Sequence, residues 1–425
     1  MGMVSDLAQA IALPKMVKIK QNFPNAEGMG QNEIIEAVKQ QLNRKEILRH
    51  LTPGSTIAIG CGSRGITNIA LIAKCTVQFL KQHGCKPFIF PAMGSHGGST
   101  AAGQKEILRS LGITEKSMGC PIRSSMEVVQ VGKTEDGRSV YIDRNASESD
   151  GIILINRIKP HPSFRGPCES GIAKMMVIGM GKQWGADSCH ASGFGRMATD
   201  LITYRDVILK NVPIICGLGI LETALENTLR IVSLTPNEIP VKEPELLLEA
   251  KQNMGRIYID KTDVLIVDEI GKDISGDGMD PNITGTFCTP YASGGISAQR
   301  VVVLDLTDET HGAAVGMGMA DISTKRLLNK VDFEKTYPNC ITSRALEPIK
   351  IPLICENDRE AIQIGIRTCF QVVDKNARIV RIKNSLELEY IEISESLLVQ
   401  AMQNPNITIL GEPQEMAFDQ LGNLL

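Results

Sequence analysis

The sequence predicts an α/β protein of two domains. Three observations carry that expectation: short apolar runs of strand length, intervening segments with apolar residues at helical spacing, and a charged stretch at Lys242–Asp260 after which a fresh series of strands begins. The predicted division is residues 1–260, an N-terminal α/β domain, and residues 261–425, a C-terminal α/β domain, with the active-site cleft between them. A chain of 425 residues is long enough for two or three such cores.

The elements follow in order. Thr56–Gly60 reads as a strand, and Ile69, Ile72, Ala73, Thr76 and Leu80 recur at helical spacing until Gly84 stops the helix. Lys86–Phe90 is the next strand. It runs into MGSHGGST, where Ser99 or Thr100 is the natural N-cap of a helix ended by Gly112. Val128–Val131 and Val140–Ile142 flank the turn sequence TEDG and read as a hairpin. Gly151–Ile155, Val212–Cys216, Val264–Val267, Val301–Leu304 and Ile351–Ile354 are buried-strand patterns, and Asp358–Thr368 has helical periodicity. No internal repeat or low-complexity tract interrupts them.

Composition excludes several classes of function. Lys and Arg number 45 against 48 Asp and Glu, interspersed, so no electrostatic footprint for nucleic acid exists. Aromatics, at 4%, offer few platforms for stacking bases. No apolar run approaches the roughly 18 residues of a membrane span. Eleven cysteines without a CxxC pair, and a start without the pattern of a secretory leader, predict a reduced, cytoplasmic protein.

Glycine is concentrated at residues 94–98 and 166–195, and His96, His161 and His190 lie in or beside those clusters. GSHGGST follows a strand and opens a helix, so its N–H groups, those of Gly97 and Gly98 included, could hold a phosphate; a tight turn with an incidental histidine explains it equally well. NRIKPHPSFRG puts Asn156, Lys159 and His161 beyond the carboxyl end of a strand, the edge where open α/β sheets bind ligands. The prolines flanking His161 stiffen it, as a general base requires, although a plain surface loop would read the same. ESGIAKMMVIGMG places Lys174 in an apolar run. A lysine there must be paired, deprotonated, covalently modified, or snorkelling to water. GSRG puts Arg64 after the first strand, where it can grip a carboxylate. His190 in GADSCHASGFG is a lone imidazole, and spacing alone makes no metal site of it.

Taken together, Arg64, GSHGG with His96, KPH with His161, SGxxK with Lys174, and His190 resemble the lactate racemase family in order through most of the first 200 residues, with a looser match in the Gly-rich loop near 278–285. The resemblance implies a racemase or epimerase of a 2-hydroxy acid, acting by reversible hydride transfer to a nickel-pincer nucleotide, the nickel complex of pyridinium-3-thioamide-5-thiocarboxylic acid mononucleotide. It implies that Lys174 carries this cofactor covalently, with Ser170, Gly171, Gly97 and Gly98 around it. His190 would ligate the nickel, His96 and His161 would alternate as acid and base, and Arg64 would bind the substrate carboxylate. Partners so implied are the small-molecule substrate and cofactor-assembly proteins, with neither nucleic acid nor membrane. Beside this stand an oxidoreductase or dehydratase using the same cofactor, and a non-catalytic nucleotide-binding protein. GSHGGST also lacks the Arg and Pro that follow the histidine in the lactate enzymes, so the resemblance extends to substrates larger than lactate or differently charged.

Overall fold

The computed structural model describes residues 2–63 and 65–425. It is a mixed α/β structure of two compact units: Asn25–Met254 is one, and the residues up to Pro24 together with Gly255–Leu425 form the other. The sequence reading keeps the first 24 residues with the first half. In the structure, strand Met16–Gln21 pairs antiparallel with Tyr390–Ser394 on one side and Ile407–Ile409 on the other. That pairing joins positions almost 400 residues apart, and a local pattern carries no signal of it.

The Asn25–Met254 unit is built on a five-stranded sheet in the order Lys86–Pro91, Thr56–Cys61, Gly151–Arg157, Ile214–Glu222, Thr228–Leu234. The first four strands are parallel and the last is antiparallel. Residue alternation explains the two-sided burial. Ile152 and Leu154 enter the core on one face, with Phe88, Phe90 and helix Phe194–Asn211. Ile153 and Ile155 enter the other, with Ile57, Ile59 and helices Gln31–Leu42 and Ile69–Gln82.

This topology fixes where chemistry can occur. Cys61 lies level with Pro91 on one neighbour and with Ile155 on the other, so three adjacent parallel strands end at one edge. The chain leaves Thr56–Cys61 for the strand on one side and later returns to place Gly151–Arg157 on the other. The loops after these two central strands therefore diverge, and the divergence opens the crevice where doubly wound sheets bind ligands. The expected hairpin is present as Val128–Lys133 against Ser139–Asp143.

The second unit is an eight-stranded sheet ordered Leu353–Cys355, Ile322–Thr324, Ser297–Leu306, Lys261–Ile270, Ile379–Ile382, Tyr390–Ser394, Met16–Gln21, Ile407–Ile409. Its first five strands are parallel. Helix Asp358–Arg367, capped by the Asn357 side chain, packs Ala361, Ile362 and Ile366 against Val264 and Val302. Among the described residues no helix is long and apolar enough to cross a membrane, and all eleven cysteines are free thiols.

Candidate active site

The loop after Gly151–Arg157 is closed at its base. Lys159 and Ser170 exchange backbone hydrogen bonds of 2.9 and 3.1 Å, so residues 160–169 form a pinched loop above the sheet edge. A single buried carboxylate organises its interior. Glu169 accepts from the His161 backbone N–H at 2.7 Å, from Arg165 Nη1 at 3.2 Å and from Lys251 Nζ at 2.7 Å. Arg165 also donates to the His161 carbonyl at 2.6 Å. The peptide of His161 is thereby held on both sides.

The ring of His161 is equally constrained. It is 8% exposed, and its centroid lies 4.5 Å from that of Phe164 and 6.5 Å from that of Phe194. Burial first, then the nearby Lys174, His190, Lys159 and Arg165, hold its pKa well below the usual histidine value, so the imidazole is neutral at pH 7. The Ser163 N–H donates to Nδ1 at 3.1 Å. The other ring nitrogen, Nε2, lies 2.8 Å from Lys174 Nζ.

Lys174 ends a three-residue helix, Ile172–Lys174, that continues into a π-type turn over Met175–Gly179. The backbone N–H of Ala173 donates to both oxygens of Glu243, which reaches in from helix Ile239–Asn253. Burial raises the Glu243 carboxyl to about 7 against those backbone bonds. Gly171 is extended, and its lack of a side chain answers to packing: a Cβ there would lie 2.0 Å from Glu243 Oε1. Asn156 Nδ2 donates to the Gly171 carbonyl at 2.8 Å, tying the segment to the strand that leads into the His161 loop.

His190 is the last residue of helix Lys182–His190, where the sequence reading expects a Gly-rich turn. Gly185 conceals the helix from a propensity argument, yet it is required there because a Cβ would lie 2.9 Å from the Val177 carbonyl. The Nδ1 of His190 lies 2.6 Å from the Ala186 carbonyl and donates to it, which leaves the ring lone pair on Nε2. The rings of His190 and His161 both pack on Phe194, the first at 5.9 Å.

His96 occupies the loop after Lys86–Pro91 and contrasts with His161 in being exposed; its Nδ1 lies 2.5 Å from Ser63 Oγ. Gly97 and Gly98 both have positive φ, of 67° and 65°. A Cβ on Gly97 would meet the backbone of Gly103 and Gln104 at 2.6 Å, so this glycine lets the loop fold onto the following helix. The Thr100 side chain caps that helix by accepting from the Gly103 N–H. Arg64 lies outside the described residues, but its neighbours are anchored: Arg157 Nη1 donates to the Gly65 carbonyl at 3.2 Å, and the Thr67 N–H donates to Glu222 at 2.7 Å.

Residues 8–196 match the lactate racemase N-terminal domain. That match identifies residues 8–196 as a lactate racemase N-terminal domain. The lactate racemase apoprotein from Thermoanaerobacterium thermosaccharolyticum shares the fold, with a TM-score of 0.50 and 12% identity over 88% of this chain and 99% of that one. No curated protein matches. The lactate racemase domain contains every candidate residue named from the sequence and ends just past His190.

Of those candidates, the structure brings His161 and Lys174 into contact and sets His190 against the same phenylalanine. Ser170 closes the base of the His161 loop, and Gly171 admits Glu243. The sequence reading missed Ser63, Glu169, Phe194 and Glu243. Glu169 adjoins the SGxxK segment and was within reach of a close reading; the others become partners only through the tertiary fold.

Proposed function

We propose that the protein interconverts the stereochemical forms of a 2-hydroxy acid, as a racemase or epimerase, with a nickel-pincer nucleotide carried on Lys174. The observation that carries this reading is the 2.8 Å contact between a buried, neutral His161 and Lys174 inside the lactate racemase domain. The donor set fits the cofactor. Among the described residues no three His, Cys, Asp or Glu side chains gather to hold a metal, so an ion bound by His190 needs a group that brings its own donors. His190 suits that role, because its Nδ1–H is committed to a backbone carbonyl and its lone pair sits on Nε2. When bound, the nucleotide supplies a reversible acceptor for the hydride at substrate C2.

The chain's own residues do the rest. Lys174 attaches the nucleotide through its amine, with assembly proteins as partners in loading. Arg64 binds the substrate carboxylate. His161 and His96 exchange the hydroxyl proton from opposite sides, one for each enantiomer. His161 takes that proton at Nε2, which linking Lys174 frees from the amine that faces it. Phe164 and Phe194 keep water from the ring.

The test uses enantiopure 2-hydroxy acids deuterated at C2 and protein made in a host that produces the cofactor. The proposal expects loss of optical rotation with deuterium retained at C2. Exchange of that deuterium with solvent, or no turnover across a panel of 2-hydroxy acids by nickel-loaded protein, refutes it.

A further inference from the structure

One buried charge has no part in the chemistry above. Lys182 opens the helix that ends on His190, has a positive φ of 53°, and is wholly buried. Its ammonium donates to the Pro91 carbonyl at 2.5 Å and to Gln104 Oε1 at 3.0 Å, and forms an ion pair with Asp143 Oδ2 at 3.0 Å. A buried Lys–Asp pair is a poor source of stability, because the desolvation of both charges offsets their attraction. Its value lies in what it fixes. With its oxygen held by Lys182, the Gln104 amide must present its Nε2–H₂ the other way, where it donates to the carbonyls of Gly94 at 2.8 Å and His96 at 3.3 Å. The same two segments meet again where Gly94 N–H donates to the Gly179 carbonyl at 3.1 Å.

We infer that Lys182 and Gln104 are positioning residues, which lock the backbone of the His96 loop onto the segment that carries Lys174 and His190. The inference rests on the base role proposed for His96, but its geometry can be tested without turnover. Gln104→Glu is the discriminating variant: it still accepts from Lys182, yet it offers the Gly94 and His96 carbonyls an oxygen in place of two N–H donors. Lys182→Met/Asp143→Asn removes both charges together and serves if the first variant does not fold.

The readout is diethylpyrocarbonate modification of the unloaded full chain, followed peptide by peptide, together with NMR of protein containing ring-¹³C histidine. We expect His96 to react at least fivefold faster in either variant and its resonance, assigned by its loss in His96→Gln, to shift and broaden. His83 in the same unit and His311 in the other unit should keep their rates, which separates loss of positioning from general loosening. A His96 rate within twofold of wild type and an unmoved resonance in the folded variants overturn the inference, as does equal acceleration of His83. If His96→Ala kept full racemase activity, the base role would fail while the labelling result stood.

Discussion

The two loops that bear the candidate bases leave the strands on either side of Thr56–Cys61 in one sheet, yet they are built on opposite principles. The His161 loop is pinched at Lys159 and Ser170, filled by a buried carboxylate, and keeps its imidazole neutral against Lys174. The His96 loop turns on glycines, leaves its imidazole exposed, and takes its rigidity from Gln104 beneath it. One candidate base is set by its surroundings and the other by its backbone, so the proposed proton exchange from two sides does not require two equivalent sites.

The largest effects should come from the bases themselves. His161→Ala and His96→Ala should each lower interconversion by about 10²- to 10⁴-fold while nickel stays bound, as metal analysis and polarimetry would show. Loss of nickel in either variant would mean that a base has been confused with a ligand. Next in size is the contrast between the two loop supports. Glu169→Ala leaves Arg165 and Lys251 facing a gap and should cost about 3 kcal/mol in urea unfolding. Thr100→Ala on the other loop removes a helix cap and an exposed 3.0 Å bond to the Gly97 carbonyl, and should cost about 1 kcal/mol. Equal costs would remove the distinction between the loops.

Smaller differences test the glycines. Gly171→Ala drives a methyl into Glu243 and should cost about 2 kcal/mol, with looser cofactor retention. Gly98→Ala has no atom within 4 Å of the new methyl, and only its positive φ opposes the change, at about 1 kcal/mol. The smallest effect is a slope against pH. The folded-state pKa of His161 lies below the ordinary value of about 6.5, so the unfolded chain takes up the proton first as pH falls. Its contribution to stability is complete above about pH 6.5 and is lost as pH falls toward the folded value, by at most about 1.4 kcal/mol per pH unit. His161→Gln should flatten that loss in urea midpoints measured at pH 7.5 and pH 5.

Much of the sheet was legible because its strands are buried on both faces and read as unbroken apolar runs, as at Ile152–Ile155. Their order was not, since no local pattern records that Met16–Gln21 would join the far end of the chain. The histidines could be placed because each follows a strand or lies among glycines. Their environments could not, because Ser63, Phe194 and Glu243 approach from elements distant in sequence. The helix ending on His190 was hidden by Gly185, which tertiary packing demands and propensity disfavours. Lys174 was recognised as costly in an apolar run, but its partner, His161, came from the folded chain alone.

The claim that joins these observations is that His161 faces a lysine meant for covalent linkage. The most direct test is mass spectrometry of the Lys174 peptide from fully active protein, together with its nickel content. The account predicts one nucleotide-sized adduct on Lys174 and nickel in equal amount, both lost in Lys174→Ala. Full activity with an unmodified Lys174 would contradict it.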